Sequence, residues 1–308
     1  MIILYSALAG ALLYSLSLYM PLVGGIVSFF SPLPLGYIGF SRDKNYLYLC
    51  FVITCFLIFL VGGKLSVLLY IIQYGLPFLL FFELYFRKID TVFSIFYVSV
   101  FMILLTIFSL IAFNSFNFNA AINSVTAFLN SNFNEVLKSY RTLGVKDSEI
   151  AVISQNLKSL SVVLVRILPA LMVIFYSSIF LLNLPILQRF AKLNIKDFDL
   201  KLWKSPFWIV WIFILSGFGV FILHKSLIWW LLLNIFIIAS FIFLIQGFAV
   251  TEYWFNRHNF SKLMKNLIYI FILFSQFLLV SIAIIGLFDN WFDFRKINRV
   301  GGTDESNT

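Results

Sequence analysis

"TVFSIFYVSVFMILLTIFSLIAF", Thr91–Phe113, carries no charged side chain, and the uncharged run continues to Asn134. At 1.5 Å per residue, a helix of this length crosses ~30 Å of hydrocarbon. Two further stretches, between Arg166 and Arg189 and between Ser226 and Thr251, are equally free of charge. The whole chain agrees: 62% of its 308 residues are hydrophobic and 11% charged, with a mean hydropathy of +1.00. Soluble domains carry roughly 25% charged residues. The sequence is therefore that of an integral membrane protein, an all-α, polytopic bundle of transmembrane helices.

Apolar runs place spans near 2–20, 22–40, 46–62, 66–86, 91–113, 160–185, 206–223, 227–249 and 266–288, eight or nine according to whether the second crosses. The N-terminus has no basic n-region, and its apolar run continues past the length of a secretory signal, so it reads as retained. The doubtful second span is "PLVGGIVSFFSPLPLGYIGF", Pro21–Phe40. Pro32 and Pro34 remove backbone donors, and with Gly24 and Gly25 they interrupt regular helix. Irregular backbone inside a bilayer survives where protein or a water-filled cavity satisfies it, which makes these four residues candidate cavity lining.

The single long connection, 114–159, spaces Ile122, Val125, Phe128, Leu129, Phe133, Val136, Leu137 and Tyr140 as an amphipathic helix does. Gly144 should end that helix and Asp147 cap a second one, which continues into the following span. This insertion is a helical hairpin within a single membrane domain over 1–300, and 301–308, "GGTDESNT", reads as a disordered tail.

The net charge of +9 arises from Lys and Arg scattered among short connections, which argues against a nucleic-acid stripe. A small excess on the side holding Arg42, Arg87 and Lys88 marks that side as cytoplasmic. Cys50 and Cys55 show no metal-ligand pattern, and no metal or cofactor is expected. "VGGKLS", Val61–Ser66, lacks the glycine spacing of a phosphate loop. His224 and His258 stand in different connections with no nucleophile beside them in sequence, so the chain does not read as an enzyme.

Polar residues at membrane depth are few. Arg166, in "VVLVRILPAL", is the ionisable candidate for a cavity; Gln73, Asn183, Asn234, Gln246 and Gln276 are the neutral ones. Each must find a partner in a neighbouring helix or in a ligand, and together they are the candidate substrate-binding set. "GLFDNWFDFRK", Gly286–Lys296, ends the last span. Gly286 permits close packing, Trp291 and the phenylalanines suit the aromatic belt, and Arg295 with Lys296 stops the span at water. Asp289 and Asp293, four apart on one helical face, are expected to pair with bases of another segment or of a partner.

Pro21–Phe40, "QGFAVTEYWFNRHN" (Gln246–Asn259) and Gly286–Lys296 together resemble the YybS-like predicted membrane proteins of bacteria. That family is thought to be distantly related to the S components, the substrate-binding membrane subunits of energy-coupling-factor vitamin transporters. The resemblance implies a solute-binding or transport role in a bacterial cytoplasmic membrane, with a membrane coupling partner or ATP-driven module supplying energy. S components dock on that partner through small residues four apart on their first helix, and Ala7, Ala11 and Ser15 have this spacing. Such a strip equally serves internal packing. S components are shorter, and they lack the 114–159 hairpin and the C-terminal spans. The expected function is a transport component that binds a small solute or lipid-derived molecule; the alternative is a non-transporting membrane scaffold or envelope assembly factor.

Overall fold

Hydrocarbon offers no hydrogen-bond partners, so a chain this apolar must satisfy its backbone within helices. The computed structural model describes residues 1–190, 202–223 and 226–296, and over them every regular element is a helix. The 301–308 tail and His224 lie outside the described residues. The helices cluster into two compact units: the described parts of Met1–Ser161 with Leu171–Asp197, and those of Val162–Ala170 with Phe198–Thr308.

In the first unit, α1 (Ile2–Tyr19) packs against α2 (Pro21–Ser28) and α4 (Lys44–Tyr70). Its buried stripe is Ala7, Gly10, Ala11, Tyr14 and Ser15. The small-residue strip therefore points into the chain's own bundle, where a docking face would have to point outward. The reason is the turn at Met20, which folds α2 back over α1, with α3 (Leu33–Ser41), past the break after Ser28, also packed on it.

That break is the one expected from the prolines. Phe29, Phe30, Ser31 and Leu33 donate to carbonyls three residues back, at 3.0–3.3 Å, so the chain tightens into a short 3₁₀-like stretch before Pro34 helps start α3. A side chain at Gly24 would collide with the Leu16 carbonyl of α1, while Gly25 meets open space. The glycines of this segment thus serve packing on α1 and exposure to the surroundings.

The 46–62 and 66–86 spans form one long run, α4, a π-helical turn at Ile71–Gly75 and α5 (Leu76–Phe86), with a reversal at Gly63. Gly63 has φ 71° and ψ −170°, a conformation open to glycine. The two arms then lie antiparallel: the Tyr48 hydroxyl donates to the Glu83 carboxylate, and Gly75 stands against the Phe51 ring. α6 (Thr91–Phe113) is capped by Asp90, whose carboxylate accepts from the amides of Val92 and Phe93 at 2.8 and 3.2 Å.

The hairpin follows as α7 (Phe118–Thr142), a turn with Gly144 at φ 80°, and α8 (Asp147–Phe190), one continuous helix of 44 residues. The first carbonyl acceptor of α8 is Lys146, one residue before the expected Asp147 cap. α7 buries only Ala121 and Leu137.

The second unit holds α8 residues 162–170 with α9 (Trp208–Ile222), α10 (Leu227–Arg257), α11 (Lys262–Phe274) and α12 (Gln276–Phe292). Ile209, Val210, Ala239 and Phe243 form its apolar centre. Where a single 266–288 span is expected, α11 and α12 meet at 106°. Ser275 adopts extended backbone there, and its hydroxyl caps α12 through the Leu278 amide. Gln276 is exposed at this bend.

Among the described residues, six helices are long and apolar enough to cross a membrane, or seven if the bent pair is one span. The expected eight or nine is reached only by counting the reversal at Gly63 as two spans and admitting α9, which at 15 residues is about 22 Å long.

Candidate functional site

Two polar clusters stand out, one in each unit. The first lies where two interrupted helices meet. Ser28, at the end of α2, and Tyr74, in the π-helical turn, share a hydrogen bond of 3.0 Å. Both ladders are irregular here, so their carbonyls look to side chains. Asn183 of α8 donates to the freed Phe29 carbonyl at 2.9 Å and to its own helix at Ile179 O, 2.7 Å. The Tyr176 hydroxyl approaches the Ile72 carbonyl at 3.5 Å.

Around this junction stand Tyr14, Tyr70, Tyr74 and Phe175, with ring centroids 5.2–6.3 Å apart. The two contacts of Tyr14 are edge-on, an arrangement favourable in its own right, and the other two are tilted. Yet the oxygens Ser15 Oγ, Ser31 Oγ and Asn183 Oδ1 are buried without a hydrogen-bond partner. Among the described residues, the buried polar residues of this unit are all uncharged. Two hydroxyls and one amide oxygen thus keep unused hydrogen-bonding capacity of an uncharged kind in this unit. Gln73 stands in the same π-helical turn, half-buried.

The second cluster brings together two of the stretches singled out from sequence. α10 and α12 cross at Gly247 and Gly286, where a methyl group on either would come within 1.9 Å of the opposing backbone, at Ile282 O and Phe243 O. That approach sets Gln246 beside Asp289. Three donors converge on Asp289 Oδ2: Gln246 Nε2 at 2.9 Å, Arg295 Nη2 at 2.7 Å and Arg295 Nε at 3.2 Å. Gln246 Oε1 in turn accepts from the Ser205 amide and hydroxyl at 3.2 and 2.5 Å, and Arg295 Nη1 donates to the Trp203 carbonyl at 2.9 Å. Asp289 and Gln246 are wholly buried and Arg295 is 5% exposed.

Arg295 is thus not a water-facing stop but the buried base of an ion pair, because the chain leaves the helix after Phe292 and turns back under it. Asp293 has φ 44° and stands past the helix end, so it does not extend the face of Asp289. Its carboxylate lies 3.9 Å from Lys204. Ser205 and the inward turn of Arg295 left no local signal in the sequence; the base six residues after Asp289 was visible, its direction was not.

Arg166 and Asn234 meet in the same unit without forming a cavity wall. Pro169 disturbs α8, and the Asn234 amide inserts there. It accepts from the Ala170 amide and donates to the Arg166 carbonyl, each at 2.9 Å, the two groups an intact helix would join directly. The Arg166 guanidinium is exposed and sits 5.4 Å from the Trp230 ring centre. Of the six residues expected to bind substrate, only Gln73 and Asn183 come near one another's cluster; Asn234 and Gln246 are engaged by the protein itself.

No curated protein and no solved structure matches this chain. A family model described as "Predicted membrane protein (DUF2232)" matches residues 8–290. That span holds both interrupted helices and the Gln246–Asp289 pair, and the chain belongs to that family of multi-pass membrane proteins.

Proposed function

We propose that the protein is a non-enzymatic transport component that holds a small, uncharged, hydrogen-bonding solute at the junction of its two interrupted helices. The observation that carries this reading is the Ser28–Tyr74 contact between a 3₁₀ break and a π-helical turn, beside buried oxygens with no partner. Solute sites of membrane transporters are typically built at discontinuous helices, and π turns concentrate at functional positions. The tyrosine and phenylalanine faces favour a planar ring system, and the resemblance read from the sequence implies a solute-binding role in a bacterial inner membrane without naming the solute. A coupling partner would meet a surface other than Ala7, Ala11 and Ser15, which are buried.

The test is mass spectrometry of small molecules retained by protein purified in mild detergent. Wild-type protein should carry a stoichiometric neutral compound, and Tyr74→Phe, which deletes one hydroxyl, should lower its affinity about tenfold. Folded wild-type protein that retains nothing, even after exposure to cell extract, would overturn the reading and favour a membrane scaffold.

A further inference from the structure

In the second unit, α11 sets its residues on three arcs. Lys265, Tyr269 and Ile272 face α10: the Lys265 ammonium lies 3.3 Å from one Glu252 carboxylate oxygen, the Tyr269 hydroxyl donates to the other at 2.8 Å, and Ile272 is buried. Leu263, Leu267, Ile270, Phe271 and Phe274 are exposed by 52–88%. At 3.6 residues per turn these five share an arc of about 100°. Lys262 and Asn266, on the third arc, are exposed as well.

Both ends of this helix require a polar setting. At its start Arg257 and Lys262 are exposed, and with Lys265 they outnumber Glu252, the one acid between Phe248 and Phe274. At its far end the helix breaks at Ser275, whose amide donates to the Ile272 carbonyl and whose hydroxyl accepts from the Leu278 amide. The amides of Gln276 and Phe277 belong to the first turn of α12, where a helix supplies no acceptor. Phe274, Gln276 and Phe277 are exposed, so no other part of the described chain covers this break. Hydrocarbon tolerates broken backbone only under protein or beside water, which puts the bend at the polar boundary of the bilayer. With 13 residues, α11 is about 20 Å long, too short to join the two boundaries across ~30 Å of hydrocarbon. Its two ends therefore belong to the same surface. From this we infer that α11 lies flat in one membrane interface, with the Leu263–Phe274 arc on acyl chains and Lys262 and Asn266 toward the headgroups, and that α11 and α12 do not make one span. The inference is independent of the solute reading, since it involves none of the residues at the helix junction.

The experiment is a depth measurement on full-length protein in vesicles of phosphatidylglycerol and phosphatidylcholine. In a background of Cys50→Ala with Cys55→Ala, nitroxide labels are placed singly at Leu263→Cys, Asn266→Cys, Leu267→Cys and Phe274→Cys, all exposed positions. Cys50→Val with Cys55→Val serves where the alanine pair fails to fold, and size-exclusion chromatography establishes the folded state of each variant. Power-saturation electron paramagnetic resonance with oxygen and a water-soluble nickel chelate then gives the depth of each label. The labels at 263, 267 and 274 should share one depth, about 5–10 Å below the headgroup boundary, with the label at 266 shallower. One half of a span would instead place position 274 about 16 Å deeper than position 263. That ramp would overturn the inference. So would exclusion of both reagents from the apolar arc, which marks a protein partner or a second copy over it, or access of the nickel chelate to all four positions, which marks a helix out in water.

Discussion

Asp289 is the residue on which the second unit most depends. A carboxylate with no exposure is tolerable only because a guanidinium and an amide meet one of its oxygens. Removing one partner of a buried pair costs about 3–5 kcal/mol, since the other charge is left uncompensated. Arg295→Met should therefore lose that much stability in thermal or denaturant unfolding in detergent. Asp289→Leu combined with Arg295→Met should recover most of the loss, because two apolar groups need no partner. Equal stability of Arg295→Met and wild type would show that the pair does not hold the fold. Asn234 makes a related argument: its amide completes the helix at Pro169, so Asn234→Leu should weaken α8 there.

At the scale of elements, α10 and α12 touch through backbone, and the contact admits no side chain. Gly286→Ala places a methyl group 1.9 Å from the Phe243 carbonyl, so the helices must separate and the Gln246–Asp289 bond must stretch. The expected result is a clear drop in the folded, monodisperse fraction by size-exclusion chromatography. Gly25→Ala is the matched control, since its methyl group would meet nothing within 4 Å. It should leave stability unchanged or raise it by about 0.5–1 kcal/mol, the usual helical preference for Ala over Gly. Similar behaviour of the two variants would mean that the crossing is looser than the geometry requires.

Across the whole molecule, burial is unevenly distributed. α7 has only Ala121 and Leu137 buried along 25 residues, whereas α5 buries Pro77, Phe78, Phe81 and Phe82 along 11. Local opening free energy follows buried contact. Amide hydrogen exchange in nanodiscs should therefore find α7 exchanging faster than α5 by orders of magnitude, with Asp147–Ser161 of α8 intermediate. Uniform protection across α5 and α7 would show α7 to be covered by something beyond the chain. The apolar side chains that α7 leaves exposed, Phe128 at 67% among them, are suited to the membrane interface that the amphipathic spacing implies.

The sequence by itself determined the helical class, the membrane setting, the proline-driven break after Ser28, the turn at Gly144 and the fusion of the second hairpin helix with the following span. Each of these is local: apolar run length, a missing amide or a glycine-permitted dihedral acts within a few residues of itself. Tertiary structure alone decided which way each surface points. Ala7, Ala11 and Ser15 have the same spacing whether they face a partner or the chain's own α4, because close approach rewards small residues in either place. In a membrane the apolar pattern gives no further help, since lipid-facing and core-facing positions are both hydrophobic. Arg295 illustrates the same limit. A base after a span serves as a water-facing stop unless a buried acid lies within its reach, and that depends on where α10 places Gln246 and how the chain turns after Phe292, contacts separated by dozens of residues.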